Sequence, residues 1–152
     1  GVRRAVPTIT LSPGQLAADL AVRDLTDPGQ GGHAIQPLVD AAVARLAAAW
    51  GCQVRRHRGP QVVPVEENYD RLRIPTDAVT RDVRYTGYVD GRRLLRSHAT
   101  AMIPDALRAL AADPADDVLL VCPGVVHRRD AIDRLHAATP TSGRWSGCWS
   151  RP

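Results

Sequence analysis

The 152 residues predict one α+β domain, and three features of the chain carry that prediction. Residues 35–50 place apolar side chains at three- and four-residue steps, the period of a helix with one buried face. Short valine- and leucine-rich runs, above all DVLLVC at 117–122, read as strands. Proline and glycine, 12 of each, punctuate the stretches between. The length allows one hydrophobic core of ordinary size. Apolar residues make up 44% and charged residues 24%, close to globular averages, which excludes a disordered chain, a collagen or a disulfide scaffold. No apolar run approaches the roughly 18–20 residues of a membrane span. The start, GVRRAVPTITL, has arginines without an apolar signal core behind them, so no secretory peptide is expected and the cytoplasm is the expected compartment.

All 20 basic residues are arginine, and the net charge is +4. That excess permits a polyanionic partner without demanding one. The cysteines, Cys52, Cys122 and Cys148, have no CxxC spacing, and the odd count speaks against a disulfide framework. The histidines at 33, 57, 98, 127 and 136 form no HExxH pattern, so no structural zinc site and no protein-held metal is expected.

Taken in order, Ser12-Pro13-Gly14-Gln15 reads as a helix start. Ser12 caps, Pro13 suits the first helical position and Gln15 closes a capping box, with the helix running to about Leu25. Asp27 to Gly32 is a break. The helix over 35–50 should bury the face Ile35–Leu38–Val39–Val43–Leu46–Trp50, with Gly51 as a left-handed terminator. Residues 53–65 should form a hairpin or two short strands split at Gly59-Pro60. The run Arg55-Arg56-His57-Arg58 within them is read as a solvated strand face in preference to an RNA contact. Residues 66–92 look irregular, and a loop of that length is often functional. A short strand over 93–97, a helix over 102–112 and a buried strand over 117–122 follow. Pro123-Gly124 interrupts this strand, 125–128 resume it, and 129–136 form a charged loop.

The suggestive chemistry lies at Val125-Val126-His127-Arg128-Arg129-Asp130, with Asp133 and His136 beyond. An arginine fork there could hold a phosphate through two parallel hydrogen bonds. Asp130, two residues on, would share the strand face of Arg128. The plainer reading of the same spacing is a surface ion pair worth about 0–1 kcal/mol. Similarly, an isolated His98 can be an ordinary half-buried histidine.

Four blocks in order carry a resemblance across residues 25–138. LLRSHAT (94–100) and VLLVCPGVVHRRDAIDRLH (118–136) resemble the family sequences LLRTHTS and PGRVYRxDxxDxTH of the α subunit of bacterial phenylalanyl-tRNA synthetase. ENYDRLRIPTDAVTRD (67–82) resembles NFDxLxxPxxHPARD, and GGHAIQPLVDAAVARLAAAWGCQV (31–54) resembles the class II motif 1. The resemblance implies a class II aminoacyl-tRNA synthetase fold, an antiparallel sheet flanked by helices and incomplete at its C-terminal side. It implies ATP-dependent activation of an amino acid, phenylalanine or similar, followed by transfer to tRNA, with ATP and Mg2+ as cofactors. Arg128 matches the motif 2 arginine on the α-phosphate. Asp130 matches the acid that helps position ATP, and His136 the loop histidine near the phosphates. His98 and Thr100 match the residues that hold the amino end of the substrate amino acid. A homodimer through the motif 1 helix is expected, without need of a β subunit.

Departures accompany the match. His127 stands where the family has Tyr or Phe, Thr100 replaces Ser, and Ala78 lies where a His-Pro pair is usual, which loosens the inference to phenylalanine. The N-terminal tRNA-gripping arm, the second motif 2 strand and motif 3 are not found in the chain. Residues 1–140 are expected to be the catalytic-type domain, with motif 1 at about 31–54 and the first half of motif 2 at about 118–138. Residues 141–152, TSGRWSGCWSRP, hold two of three Trp and are expected to be an aberrant, disordered tail, of the kind a shifted reading frame would encode. The expected activity is aminoacyl-adenylate formation, inactive in this truncated chain. The alternatives are an amino-acid ligase that uses another acceptor and a non-catalytic binder of ATP or amino acid.

Overall fold

The computed structural model describes residues 9–129, 144–145 and 148–150. Helix α1 (Pro13–Leu20) starts as the sequence predicts. The Gln15 amide donates to Ser12 Oγ, and the Ser12 amide donates to Gln15 Oε1, so two otherwise orphaned amides are satisfied. It ends five residues short of the expected Leu25 because the following side chains compete with the helix. Asp24 Oδ1 accepts from both the amide and the hydroxyl of Thr26, and Gln30 Oε1 accepts from the Asp24 amide.

Helix α2 (Ile35–Trp50) and its terminator are as predicted. Gly51 adopts φ 63°, and the Cys52 amide returns to the Ala47 carbonyl. The buried face is narrower than expected. Val43 is buried and packs with Leu119 and Val121, flanked by Val39, Leu46 and Ala47, whereas Leu38 is 69% and Trp50 39% exposed. Leu38 projects about 100° away from the Val39–Val43 line, and Trp50 is the last helical residue.

The 53–65 stretch forms two short strands rather than a hairpin, and they join different sheets. Strand β1 (Gln53–Arg56) runs parallel to β4 (Val118–Cys122), with Gln53 opposite Val118 and Arg56 opposite Val121. Strand β2 (Val62–Pro64) pairs antiparallel with β3 (Arg93–Leu95). Strand β5 (Val125–Val126) pairs with β6 (Arg144–Trp145), and β7 (Cys148–Ser150) pairs antiparallel with β4. The expected antiparallel sheet is therefore mixed, and five residues of the segment expected to be a tail lie in strands. Asp117, predicted within the strand, instead takes φ 43° immediately before it. Aspartate tolerates that left-handed geometry better than most residues.

All five residues of β4 are buried. Alternation sends Leu119 and Val121 towards α2. Leu120 and Cys122 face the other way, into a cluster with Ala99, Met102 and Ala106. That second layer is the short turn Ala99–Met102 and helix α3 (Ile103–Ala112), where predicted. A third cluster, Val63, Tyr69, Tyr88 and Leu94, fills the space beneath residues 66–92. The stretch read as irregular is thus a set of tight turns over its own core. Among the described residues no helix is long and apolar enough to cross a membrane.

Candidate functional site

A cavity of about 450 Å³ opens where the 66–92 turns meet the ends of β3 and β5. Ile74, Val79 and Tyr85 give it apolar walls, and Thr80, Ser97, His98 and Arg128 supply its polar groups. Arg128 is exposed at this cavity. Two of the residues singled out in the sequence, His98 and Arg128, therefore meet in one place although 30 positions separate them in the chain. Asp130 and His136 lie outside the described residues.

His98 follows β3 in an extended conformation, φ −155° and ψ 153°, and heads the Ala99–Met102 turn. Its Nδ1 lies 2.5 Å from Thr100 Oγ1. Its Nε2 is buried and has no hydrogen-bond partner among the described residues. Burial pushes the imidazole pKa below the usual histidine range, and the Asn68 backbone acts weakly the other way. The ring is therefore neutral near pH 7, with Nδ1 beside Thr100 and Nε2 buried without a hydrogen-bond partner among the described residues. Thr100 joins the site through His98 and is not itself part of the cavity wall.

Side chains that the sequence did not single out hold this arrangement. Asn68 is fully buried. Its Nδ2 donates to Ser97 Oγ, and its Oδ1 accepts from the Ser97 amide, which fixes the residue before His98. Tyr69, also fully buried, presents its ring edge to His98 with centroids 6.0 Å apart. Its hydroxyl forms a triangle with Thr86 Oγ1 at 2.5 Å and the Thr80 carbonyl at 2.7 Å. The Arg81 guanidinium lies over the Tyr69 ring, 4.6 Å from its centre. It also bonds to Asp70 and to the Ile74 carbonyl. The Arg129 amide donates to the Tyr85 carbonyl, and its side chain to the Val83 carbonyl, so the turn carrying Tyr85 is tied to the strand end carrying Arg128. His127, beside Arg128, is buried and pairs through Nε2 with Gln61 Oε1 at 2.7 Å. Burial lowers its pKa, with Asp19 opposing and Arg96 adding to the shift. The sequence signals for these residues were the resemblance block 67–82, which holds Asn68, Tyr69, Thr80 and Arg81, and the stretch 125–130, which holds His127 and Arg129; neither gave them a role.

The basic run 55–58 has a different fate. Arg55 pairs with Asp113 at 2.8 Å, Arg56 with Asp40 at 2.6 Å, His57 with Asp105 at 3.1 Å and Arg58 with Asp24 at 3.0 Å. Strand alternation sends 55 and 57 to α3 and 56 to α2. Each basic group meets one carboxylate, which leaves the run poorly suited to hold a string of phosphates. Among the described residues no group of three or more His, Cys, Asp or Glu side chains converges as a metal site.

Residues 23–141 match the family model described as tRNA synthetases class II core domain (F). The phenylalanine–tRNA ligase alpha subunit of Prochlorococcus marinus (strain MIT 9313) is 36% identical over 117 residues, covering 75% of this chain and 33% of that protein. Its counterpart in Synechocystis sp. is 38% identical over 81 residues, covering 53% and 23%. That of Exiguobacterium sibiricum is 28% identical over 130 residues, covering 81% and 36%. The chain thus spans about a third of the length of the curated relatives it matches. All three are named as alpha subunits, and a homodimer of this chain through α2 gains no support from them. With a matched segment that takes in both His98 and Arg128, the chain belongs to the class II tRNA synthetase core domain family.

Proposed function

We propose that the cavity is an amino-acid activation site that forms an aminoacyl-adenylate from ATP and phenylalanine or a similar apolar amino acid, with tRNA as the final acceptor. The observation that carries this reading is the meeting of His98, whose buried Nε2 has no hydrogen-bond partner among the described residues, and Arg128 in one cavity with apolar walls. An ammonium group needs an acceptor. Neutral His98 offers one at Nε2 when its Nδ1–H donates to Thr100 Oγ1. Ile74, Val79 and Tyr85 suit an apolar side chain. Arg128 suits an α-phosphate, because its fork can hold two oxygens of one tetrahedral group.

In the reaction, a carboxylate oxygen of the amino acid attacks the α-phosphorus. The bond from that phosphorus to the bridging oxygen breaks, and pyrophosphate leaves. A tRNA ribose hydroxyl then attacks the acyl carbon, the bond from that carbon to the phosphate oxygen breaks, AMP departs, and the hydroxyl proton passes to the leaving phosphate or to water. Little proton transfer is required in the first step, so alignment and neutralisation of charge supply the rate. Asp130 and His136 are assigned to the ATP side by the resemblance. Mg2+ would neutralise phosphate charge and would arrive on the triphosphate, since the described residues offer no cluster to hold it.

The chain spans about a third of its relatives' length, so binding is the direct test and turnover by these 152 residues alone is not expected. The probe is a non-hydrolysable phenylalanyl-adenylate mimic, a sulfamoyl adenosine, titrated by calorimetry. Wild type should bind it, and Arg128→Ala should weaken binding about 10–100-fold, the usual worth of a charge-assisted hydrogen bond. No heat of binding at millimolar mimic would overturn the reading. Amino-acid-dependent ATP–pyrophosphate exchange by the chain alone would overturn the expectation of inactivity.

A further inference from the structure

Arg96 is the largest fully buried side chain of the domain, at 2% exposure, and it lies in none of the roles assigned above. Its Nη2 and Nε donate to the Val125 carbonyl at 2.7 and 3.2 Å. Its Nη1 donates to the Gly59 and Pro60 carbonyls at 3.0 and 3.2 Å. Three carbonyls from two separate segments therefore converge on one guanidinium. Its main chain is bound as well: the Arg96 amide donates to the Gln61 carbonyl, and the His127 amide donates to the Arg96 carbonyl at 2.8 Å. Burial depresses its pKa, while Asp24 and Cys122 act through space to raise it. A buried charge of this kind is expensive to desolvate, and an apolar replacement would strip the carbonyls of their donors.

The position of Arg96 gives these bonds a consequence for the cavity. His98 is two residues beyond Arg96. Arg128 directly follows His127, whose amide donates to the Arg96 carbonyl, and Val125, whose carbonyl the guanidinium holds, begins β5 (Val125–Val126), which ends two residues before Arg128. Two anchors three atoms of chain apart fix both the register and the distance of residues 125–127 against residues 96–98. Lysine could not do this, because a single ammonium has no planar fork with donors aimed in several directions. The packing leaves no slack: a Cβ at Gly124 would sit 2.6 Å from Arg96 Nη2. We propose that Arg96 is a positioning residue that sets the spacing of His98 and Arg128 across the cavity. The inference rests on the reading that these two residues address one ligand.

Gly124→Ala tests it from the outside, since it displaces the guanidinium and keeps its charge. Arg96→Lys tests it from within. The folded state is checked by circular dichroism, and two quantities are read: affinity for the phenylalanyl-adenylate mimic, and the NMR titration midpoint of His98. Both variants should bind the mimic at least tenfold more weakly. Their His98 midpoints should move up towards the ordinary histidine value, because a widened cavity hydrates the ring. A role confined to stability would leave both quantities at their wild-type values in the folded variants, and that result overturns the inference. A wild type that does not bind the mimic overturns the ligand reading, while the His98 midpoint still reports whether Arg96 sets the geometry. Hydrogen exchange of the Arg96 Nε proton in the wild-type chain covers the case in which both variants unfold. Protection matching the His127 amide supports the clamp, and exchange at the rate of an exposed arginine overturns it.

Discussion

His98 Nδ1 lies 2.5 Å from the hydroxyl oxygen of Thr100, two residues further along the chain. The short contact bears on the tautomer of the ring, whose other nitrogen, Nε2, is buried and has no hydrogen-bond partner among the described residues. If Nδ1–H donates to Thr100, Nε2 accepts; without that partner the neutral ring is free to place its proton on either side. Thr100→Val should therefore weaken binding of the amino-acid end of the ligand about tenfold, close to the worth of one hydrogen bond. Thr100→Ser keeps the hydroxyl and should stay within about twofold of wild type on the same scale. Calorimetry with the adenylate mimic distinguishes the two; equal affinities for valine and serine variants would contradict the role.

Two histidines, His127 buried and His98 half-buried, make stability depend on pH in a defined direction. His98 and His127 both have folded-state pKa values pushed below the ordinary one by burial. Above about pH 6.5, the usual histidine value, neither folded nor unfolded chain binds these protons and full stability is present. As pH falls below that value, the unfolded chain takes up protons that the folded chain refuses, and stability drops until the folded pKa values are passed. Urea unfolding midpoints should decrease from pH 7.5 to pH 5.5. A double variant His98→Gln, His127→Gln should show a flatter profile, and a profile as steep as wild type would assign the effect elsewhere.

The triangle of Tyr69, Thr86 and the Thr80 carbonyl is wholly internal, with Tyr69 and Thr86 both fully buried. Tyr69→Phe removes the phenol oxygen and takes a hydrogen-bond partner away from buried acceptors. A loss of about 1–3 kcal/mol is expected from that penalty. Chemical denaturation measures it, and a loss below about 0.5 kcal/mol would show that Thr86 alone satisfies the carbonyl.

Leu119 and Leu38 separate the two faces of α2. Leu119 is fully buried against Val43, whereas Leu38 is 69% exposed. Leu119→Ala should cost about 2–5 kcal/mol through lost burial and a residual cavity. Leu38→Ala should change stability by about 0.5 kcal/mol or less, as for exposed sites generally. A large effect at Leu38 would reveal a partner on that face of the helix.

What the sequence by itself determined is local in physical origin. The Ser12–Gln15 capping box, the span of α2 with Gly51 beyond it, α3 with Pro104 in its first turn and Pro114 beyond its end, and the buried strand at 118–122 all depend on residues within a turn or two of one another. Local hydrogen bonding and apolar periodicity are enough to specify them. The resemblance placed Arg128, His98 and Thr100 in a common function before any distance was known. Only the tertiary structure decided what depends on contacts distant in sequence. Strand β1 finds a parallel partner some 65 positions away, so the alternation in 53–65 could not say which sheet each half would join. The arginine side chains of the 55–58 run stay exposed, as a solvated face predicts, and only the tertiary structure supplies the carboxylates that the run meets, because Asp24, Asp40, Asp105 and Asp113 come from other elements. Arg96 falls within the strand expected over 93–97 and the block LLRSHAT, and neither reading gave it a role. It is buried because three carbonyls, at 59, 60 and 125, converge there, and no pattern around position 96 records their presence.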